Sequence, residues 1–318
     1  MDVPIHTPLI LFVYILSFVT GVPSNILAFY TFLVKVRQKP SPVGIYLLNL
    51  TISDLLLLFF LPFKMVEVAS GMQWPMPYFL CPIVVLVYFC SIYISTLFLT
   101  AVSVERYLGV AYPMKYKVNR KSVYTIWTCV FIWIFSTLQG SVSFFVLEFL
   151  PSNESSQGKC YQTFSENQLK VLMPFRLEGS LVLFCLPFLI TIFCYLNFVR
   201  LLMSMPKIGG KKKYRAIGLA VATLFNFTIC FAPYNISHIV GFIQNKSPRW
   251  RVYALLLSTL NASLDPIIFY YSSTAIQRVF LKFLTKLKCK LCRSTEKTSA
   301  VRKYPAAVSQ SSNINTFS

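Results

Sequence analysis

Seven long apolar segments, separated by short polar ones, account for most of the 318-residue chain. Each is close to or longer than the roughly 20 residues that an α-helix needs to cross about 30 Å of hydrocarbon. Backbone groups must be paired within the segment in lipid, so the pattern predicts an all-α membrane protein, a seven-transmembrane helix bundle. The predicted spans are residues 8–34, 43–69, 78–110, 122–147, 172–204, 212–243 and 249–272.

Composition supports the membrane class. Apolar residues make up 56% of the chain and charged residues 13%, whereas soluble domains carry about 25% charged residues. No cleavable signal peptide is expected, because no basic residue precedes the first apolar stretch and that stretch is too long for a signal sequence. The first span is therefore expected to begin outside the cell.

The basic residues lie mostly in alternate connections and after the seventh span, and give a formal net charge of +20. The positive-inside rule assigns these segments to the cytoplasm, where they face anionic membrane lipid. We predict a multi-pass plasma-membrane protein with an extracellular N-terminus, and no nucleic-acid partner. The residues that set this orientation are Lys35, Arg37, Lys39, Lys115, Lys117, Arg120, Lys121, Lys207, Lys211, Lys212, Lys213, Arg215, Arg278, Lys282, Lys286, Lys288 and Lys290.

The chain is predicted to have three parts. Residues 1–272 form the bundle, and 273–292 form an amphipathic eighth helix on the membrane surface, with apolar residues on one face and basic residues around it. Cys289 and Cys292 lie at the end of this segment and are either palmitoylated or free cytosolic thiols. Residues 293–318 are rich in Ser, Thr and Asn and are expected to be a disordered, phosphorylatable tail.

Two cysteines and one asparagine mark the predicted outer side. Cys81 begins the third span and Cys160 lies in the second outer loop, so both face an oxidising compartment and are expected to form a disulfide. Asn153 and Asn245 begin glycosylation sequons in outer loops, and Asn153 is preferred.

Several polar residues lie inside the spans and need partners there. Asp54, Ser95 and Asp265 are expected to face the bundle interior, where they form either a sodium site or a hydrogen-bonded core without an ion. Glu105-Arg106-Tyr107 ends the third span at the cytoplasmic edge, where the charges indicate either a functional role or an arginine that reaches the interface.

Arg176, His238 and Arg251 lie near the outer ends of the fifth, sixth and seventh spans, at similar depth. An arginine inside a bundle is unfavourable unless an anion or a carboxylate is next to it. The three residues therefore indicate an anion-binding site. The alternative is structural pairing, for example of Arg176 with Glu178 or Glu148.

Taken together, motifs in every span resemble the rhodopsin-like receptor family. They are Asn25, Leu-Asn-Leu-Thr-Ile-Ser-Asp ending at Asp54, Cys81, Glu105-Arg106-Tyr107, Trp133, Pro187 with Tyr195, Pro233, and Asp265-Pro266-Ile-Ile-Phe269. Two positions depart from the family pattern: Phe231 replaces a tryptophan, and Asp265 with Phe269 replaces asparagine and tyrosine. Four further segments, residues 174–178, 231–238, 246–251 and 260–266, resemble the free fatty acid receptors, and most closely the members that detect short-chain acids.

This resemblance implies a receptor rather than an enzyme, with no catalytic residues, no firm metal site and no cofactor beyond an allosteric sodium ion. It implies a short-chain carboxylate ligand (acetate, propionate or butyrate), a heterotrimeric G protein of the Gi/o or Gq class at Glu105, Arg106 and Tyr107, and arrestin on the tail. The implied ligand-binding residues are Arg176, Arg251, His238, Tyr234, Tyr93 and Phe89. Gln139 and Gln162 replace a histidine and an acidic residue of the relatives, which is expected to affect selectivity.

Two alternatives stay open. The same fold could serve a longer-chain or hydroxy acid, or a peptide, because a pair of arginines fits any carboxylate. An anion transporter would also explain arginines in a membrane, but it predicts repeat-related halves with broken helices, and the sequence contains no evident internal repeat.

Overall fold

The computed structural model describes residues 7–114, 116, 122–149, 160, 164–206, 208–272, 274, 277–278, 281 and 285. This part of the chain is helical and contains seven helices that are long and apolar enough to cross a membrane, which confirms the predicted fold class. The helices are α1 Thr7–Gln38, α2 Pro42–Ala69, α3 Leu80–Ala111, α4 Ser122–Phe149, α5 Glu166–Ser204, α6 Gly210–Gln244 and α7, which consists of Arg251–Thr259 and Asn261–Ser272. Following the predicted orientation, we call the end of the bundle with Cys81 the outer end and the end with Arg106 the inner end.

Helix α3 is the central element. In its most apolar stretch 72% of the residues are buried within the protein, against 28% for α1 and for α4. Large apolar side chains on the peripheral helices, such as Phe12 and Trp127, are mostly exposed. In a lipid solvent this exposure carries no penalty, and it identifies the faces of α1 and α4 that contact the bilayer.

Helix α5 begins six residues earlier than its apolar pattern predicts. Its first turn is polar, so the apolar pattern does not extend to it. The turn is stabilised by a capping box, in which the hydroxyl of Ser165 accepts from the backbone N–H of Gln168 at 3.4 Å and the Gln168 side chain accepts from the Ser165 N–H at 3.0 Å.

Both α5 and α6 contain a single π-helical turn, at Leu181–Cys185 and Phe227–Phe231. Each turn ends just before the helix proline, Pro187 or Pro233. Proline has no N–H to donate to the preceding turn, and a wider turn there accommodates its ring. These two sites are the points at which α5 and α6 depart from a regular helix.

Helix α7 is interrupted at Leu260, between its two segments, and not at Pro266, which lies inside the second segment. Next to the interruption, Tyr88 of α3 donates to the carbonyl of Leu255 at 3.1 Å and is hydrogen-bonded to the hydroxyl of Thr259. The outer segment of α7 is therefore attached to the central helix.

Cys81 at the start of α3 is joined to Cys160 by a disulfide. Both half-cystines are buried and pack against Trp74, Val84 and Val85 at the outer end. The bond holds Cys160 at the start of α3. The described cysteines inside the helices are free: Cys90, Cys129, Cys185, Cys194 and Cys230.

Several predictions fall outside the described residues. These are the glycosylation of Asn153, the role of Gln162, the palmitoylation of Cys289 and Cys292, and the tail. After α7 the structure describes Thr274, Gln277, Arg278, Leu281 and Thr285, all of them helical. The eighth helix and the three-part division of the chain stay predictions.

Candidate anion-binding pocket

A cavity lies between α3, α4, α5, α6 and α7, near the outer end of the bundle. All six predicted ligand-binding residues line it. Its wall consists of Phe89, Tyr93, Gln139, Gly140, Val142, Ser143, Leu172, Phe175, Arg176, Tyr234, His238 and Arg251. The cavity thus combines two arginines and a histidine with a mainly aromatic and aliphatic wall, the pattern of a site for a small amphipathic anion.

Arg251 enters the cavity from the first turn of α7. Its guanidinium donates to the hydroxyl of Tyr234 at 3.4 Å, and its Cζ lies 5.5 Å from the centre of the Tyr234 ring. Tyr234 in turn stacks on Phe89 of α3, with ring centres 6.0 Å apart, and meets His238 edge to face at 4.5 Å. Phe89 of α3 with Tyr234 and His238 of α6 therefore form one aromatic surface beneath Arg251.

Arg176 enters from α5 and lies over the ring of Phe164, with Cζ 4.8 Å from the ring centre. Within the part of the chain that the structure describes, no carboxylate oxygen lies within 4.0 Å of either guanidinium. Two positive charges on facing helices therefore share one cavity without a described acidic partner. Such an arrangement favours an anion between them.

The proposed structural pairing of Arg176 with Glu178 does not occur. Glu178 is exposed and accepts from Gln139 at 3.3 Å, and the same Gln139 amide donates to the carbonyl of Phe175 at 3.1 Å. The side chain of Glu148 is not described. The amide of Gln139 thus connects α4 to α5 at the edge of the cavity.

Gly179 of α5 leaves room for the side chain of Gln139 next to the cavity. A Cβ at this position would lie 2.9 Å from the Gln139 amide nitrogen and 3.6 Å from the hydroxyl of Tyr93. The absence of a side chain therefore lets Gln139 cross to α5 beside the cavity.

His238 is buried, and its Nε2 has no hydrogen-bond partner among the described residues. Buried polar atoms are paired in most native structures, so this nitrogen at the cavity wall is available to a ligand. His238 can donate to or accept from a ligand, according to its tautomer.

A second polar cluster lies deeper in the bundle and brings together Asp54, Ser95 and Asp265. The side-chain amide of Asn261 donates to Asp54 at 3.3 Å and to Ser95 at 3.2 Å. The amide of Asn226 donates to Asp265 at 2.7 Å and to Asn261 at 2.6 Å. One oxygen of each carboxylate has no described hydrogen-bond partner, which fits a small cation.

The cluster contains two carboxylates, fewer than the three His, Cys, Asp or Glu ligands of a typical transition-metal site. In the described part of the chain, no three such residues come together. Asn226 and Asn261, which the sequence analysis did not assign to this site, carry the hydrogen bonds that link the two carboxylates.

At the inner end, Glu105 accepts a hydrogen bond from Tyr116, and Tyr107 packs edge to face on Phe193 of α5 at 5.9 Å. The acidic residue of the Glu-Arg-Tyr motif is thus bonded to the segment that follows α3. The role of the motif in coupling stays a prediction.

Comparison with known proteins gives the family of the chain. The family of seven-transmembrane receptors of the rhodopsin type matches residues 24–269. The chain belongs to this family. Free fatty acid receptor 3 of Homo sapiens is 44% identical over 86% of this chain and 80% of its own length. Free fatty acid receptor 2 of Rattus norvegicus is 45% identical over 89% and 87%, and G-protein coupled receptor 42 of Homo sapiens is 45% identical over 86% and 80%.

Within the rhodopsin family the chain is thus a member of the free fatty acid receptors. Its relatives are receptors, which confirms the prediction that it is not an enzyme. It is a multi-pass protein of the plasma membrane. The resemblance found in its motifs is confirmed.

The departure from the rhodopsin pattern at Phe231 lies just inward of the cavity. Phe231 is fully buried and contacts Phe227 edge to face at 5.9 Å. Phe227 stacks on Phe188 of α5 at 5.6 Å. In this receptor the interface of α5 and α6 is therefore filled by phenylalanines next to both π-helical turns.

Proposed function

We propose that this receptor detects short-chain carboxylates (acetate, propionate and butyrate) by holding the carboxylate between Arg176 and Arg251, and that it signals through a heterotrimeric G protein. The observation that supports the proposal is the pair of arginines on one cavity wall with no acidic partner among the described residues. The names of the relatives, free fatty acid receptors 2 and 3, are consistent with it.

The chemistry of the wall favours a carboxylate over other small ions. A guanidinium is planar and always charged, and it binds a carboxylate through two parallel hydrogen bonds. An ammonium ion would be repelled by both arginines. Sulfate has no alkyl tail to occupy the surface formed by Phe89, Tyr93 and Leu172.

The size of the ligand limits its affinity. The best very small ligands gain about 1.5 kcal/mol per non-hydrogen atom, so the binding free energy of acetate is at most roughly 6 kcal/mol and its dissociation constant is no lower than some tens of micromolar. A receptor for such ligands responds to abundant metabolites. Each added methylene raises the ceiling until the aromatic wall blocks the tail.

The arrangement suggests how binding reaches the inner end. A carboxylate bound by both arginines draws the outer ends of α5 and α7 together, and Tyr234, bonded to Arg251, transmits this to α6. The π-helical turns let α5 and α6 adjust, and the inner end of α6 moves outward. A cleft then opens near Arg106 for the G protein. This is a shift of population between two bundle arrangements.

Further parts of the proposal concern partners and orientation. The N-terminus is extracellular, the G protein is of the Gi/o or Gq class, and arrestin binds the Ser/Thr-rich tail. A sodium ion would be held by Asp54, Ser95 and Asp265, where it would offset the repulsion between two buried carboxylates. The unpaired carboxylate oxygens support this ion.

The experiment that tests the function is a dose–response series in cells that express the receptor, with straight-chain acids from acetate to dodecanoate and with lactate as a hydroxy acid. We expect G-protein activation with an optimum among the shortest acids. An optimum beyond hexanoate, or a preference for lactate, would support the alternative ligands. Uptake of labelled propionate by the same cells would instead indicate a transporter.

A further inference from the structure

Each of the two arginines lies over an aromatic ring. Arg251 lies over Tyr234, which the sequence already assigned to the site. Arg176 lies over Phe164, the residue just before the N-cap of α5. Phe164 belongs to no motif in the sequence, and it is not among the residues that line the cavity.

Stacking on a ring orients a guanidinium without using its donors. The ring attracts the positive charge through the face of the guanidinium, while the N–H groups point outward in its plane. A carboxylate partner from the protein would occupy those N–H groups. An aromatic partner leaves them available to a ligand.

We propose that Phe164 is a positioning residue: its ring holds the guanidinium of Arg176 in the orientation that receives the ligand carboxylate, and so sets the receptor's affinity for short-chain acids. The inference rests on the proposed function. Phe164 acts through Arg176 and need not touch the ligand.

The chain fixes Phe164 from both sides. Cys160 is tied to α3 by the disulfide with Cys81, and Ser165 is fixed by the capping box with Gln168, which is 2% exposed. Few residues separate these two anchors, so the ring cannot move far from α5. A partner held in place in advance costs less conformational entropy when the ligand binds.

The ring also shields one face of the guanidinium from water. Electrostatic interactions strengthen where water is excluded, so the attraction between Arg176 and a carboxylate is stronger beneath the ring than in open solvent. Phe164 therefore raises affinity in two ways, by orientation and by exclusion of water.

The test compares Phe164→Leu, which keeps an apolar side chain without a π face, with Phe164→Tyr, which keeps the ring. Phe79→Leu is the matched control, because Phe79 is a 65% exposed aromatic residue at the N-cap of α3 and does not line the cavity. Propionate potency and maximal response are measured in intact cells. The expression of the wild-type receptor is adjusted so that its surface density equals that of each variant.

We expect Phe164→Leu to reduce propionate potency roughly 2- to 30-fold, as the loss of one cation–π contact predicts, with the maximal response unchanged. Phe164→Tyr and Phe79→Leu should match the wild type. If Phe164 had only a general structural role, Phe164→Leu would instead lower the surface density or the maximal response. Potency would then not depend on whether the substituted residue has an aromatic ring.

The proposal is overturned if Phe164→Leu has wild-type potency at matched density, or if Phe164→Tyr is as impaired as Phe164→Leu. Arg176→Ala, measured in parallel, separates this result from the proposed function. If Arg176→Ala abolishes the response while Phe164→Leu has no effect, the carboxylate clamp stands and only the role of Phe164 is wrong. If Arg176→Ala responds normally, the clamp itself is wrong.

Discussion

Gly140 of α4 faces α3 so closely that any side chain there collides with it. A Cβ at this position would lie 2.6 Å from the sulfur of Cys90 and 3.2 Å from a methyl carbon of Leu86. The backbone nitrogen of Cys90 is 4.0 Å away, so the conflict is with side chains and not with the main chain of α3. Gly140→Ala must therefore displace the thiol or separate the two helices.

The magnitude follows from the overlap. Carbon atoms in contact prefer a separation of about 3.5–4.0 Å, and the added carbon would intrude on the sulfur by roughly 1 Å. The thiol of Cys90 has little room to move, since it is buried and lies 3.4 Å from the carbonyl of Ser136. Overpacking of this kind costs about 1–3 kcal/mol.

The assay is thermal unfolding of the purified receptor, followed by tryptophan fluorescence. Gly140→Ala should lower the melting midpoint by about 2–10 °C. Cys90→Ala in the same chain removes the colliding sulfur and should restore most of the loss. Gly210→Ala is the matched control, because a Cβ there meets no atom within 4 Å.

Two results would refute the reasoning. If Gly140→Ala melts with the wild type, the helices are not in close contact at this point. If Cys90→Ala fails to restore the double variant, the collision lies elsewhere. The same conclusion follows if the effects of Gly140→Ala and Cys90→Ala on the melting midpoint are additive in the double variant, because additive effects mean that the two residues do not interact.

Three further predictions concern polar contacts inside the bundle. Trp133→Phe removes the 3.0 Å hydrogen bond to Asn49 and should lower stability by about 0.6–1.7 kcal/mol, and an unchanged melting midpoint would contradict this. Asn226→Ala should cost more, about 1–3 kcal/mol, because it leaves an oxygen of Asp265 buried without its donor, and a loss no larger than that of Trp133→Phe would contradict it. Sodium chloride, compared with choline chloride, should raise the melting midpoint of the wild type but not of Asp54→Asn, and equal shifts in both would exclude a sodium site at this residue.

The membrane fold was predictable because lipid imposes few solutions. The length of each apolar segment and the placement of basic residues determine the spans. The predicted helix bounds differ from the structure where local interactions, and not the apolar pattern, determine the backbone. The polar first turn of α5 depends on the Ser165–Gln168 capping box, and α7 is interrupted at Leu260 although Pro266 lies inside its second segment.

The site was predictable in part. Arg176, His238 and Arg251 could be placed at one depth by counting along their helices, and the structure brings them to one cavity. Contacts across helices were not predictable, because they depend on how each helix is rotated. The bond from Gln139 to Glu178 and the ring of Phe164 over Arg176 belong to this class.

The central claim is that Arg176 and Arg251 together bind a carboxylate. The most direct measurement is binding of isotope-labelled propionate to the purified receptor in nanodiscs, followed by nuclear magnetic resonance. Arg249→Ala is the matched control, since Arg249 is an exposed arginine close to Arg251 in the chain. The account predicts saturable binding to the wild type and to Arg249→Ala, and its loss in both Arg176→Ala and Arg251→Ala. Undiminished binding to either of the last two variants would contradict it.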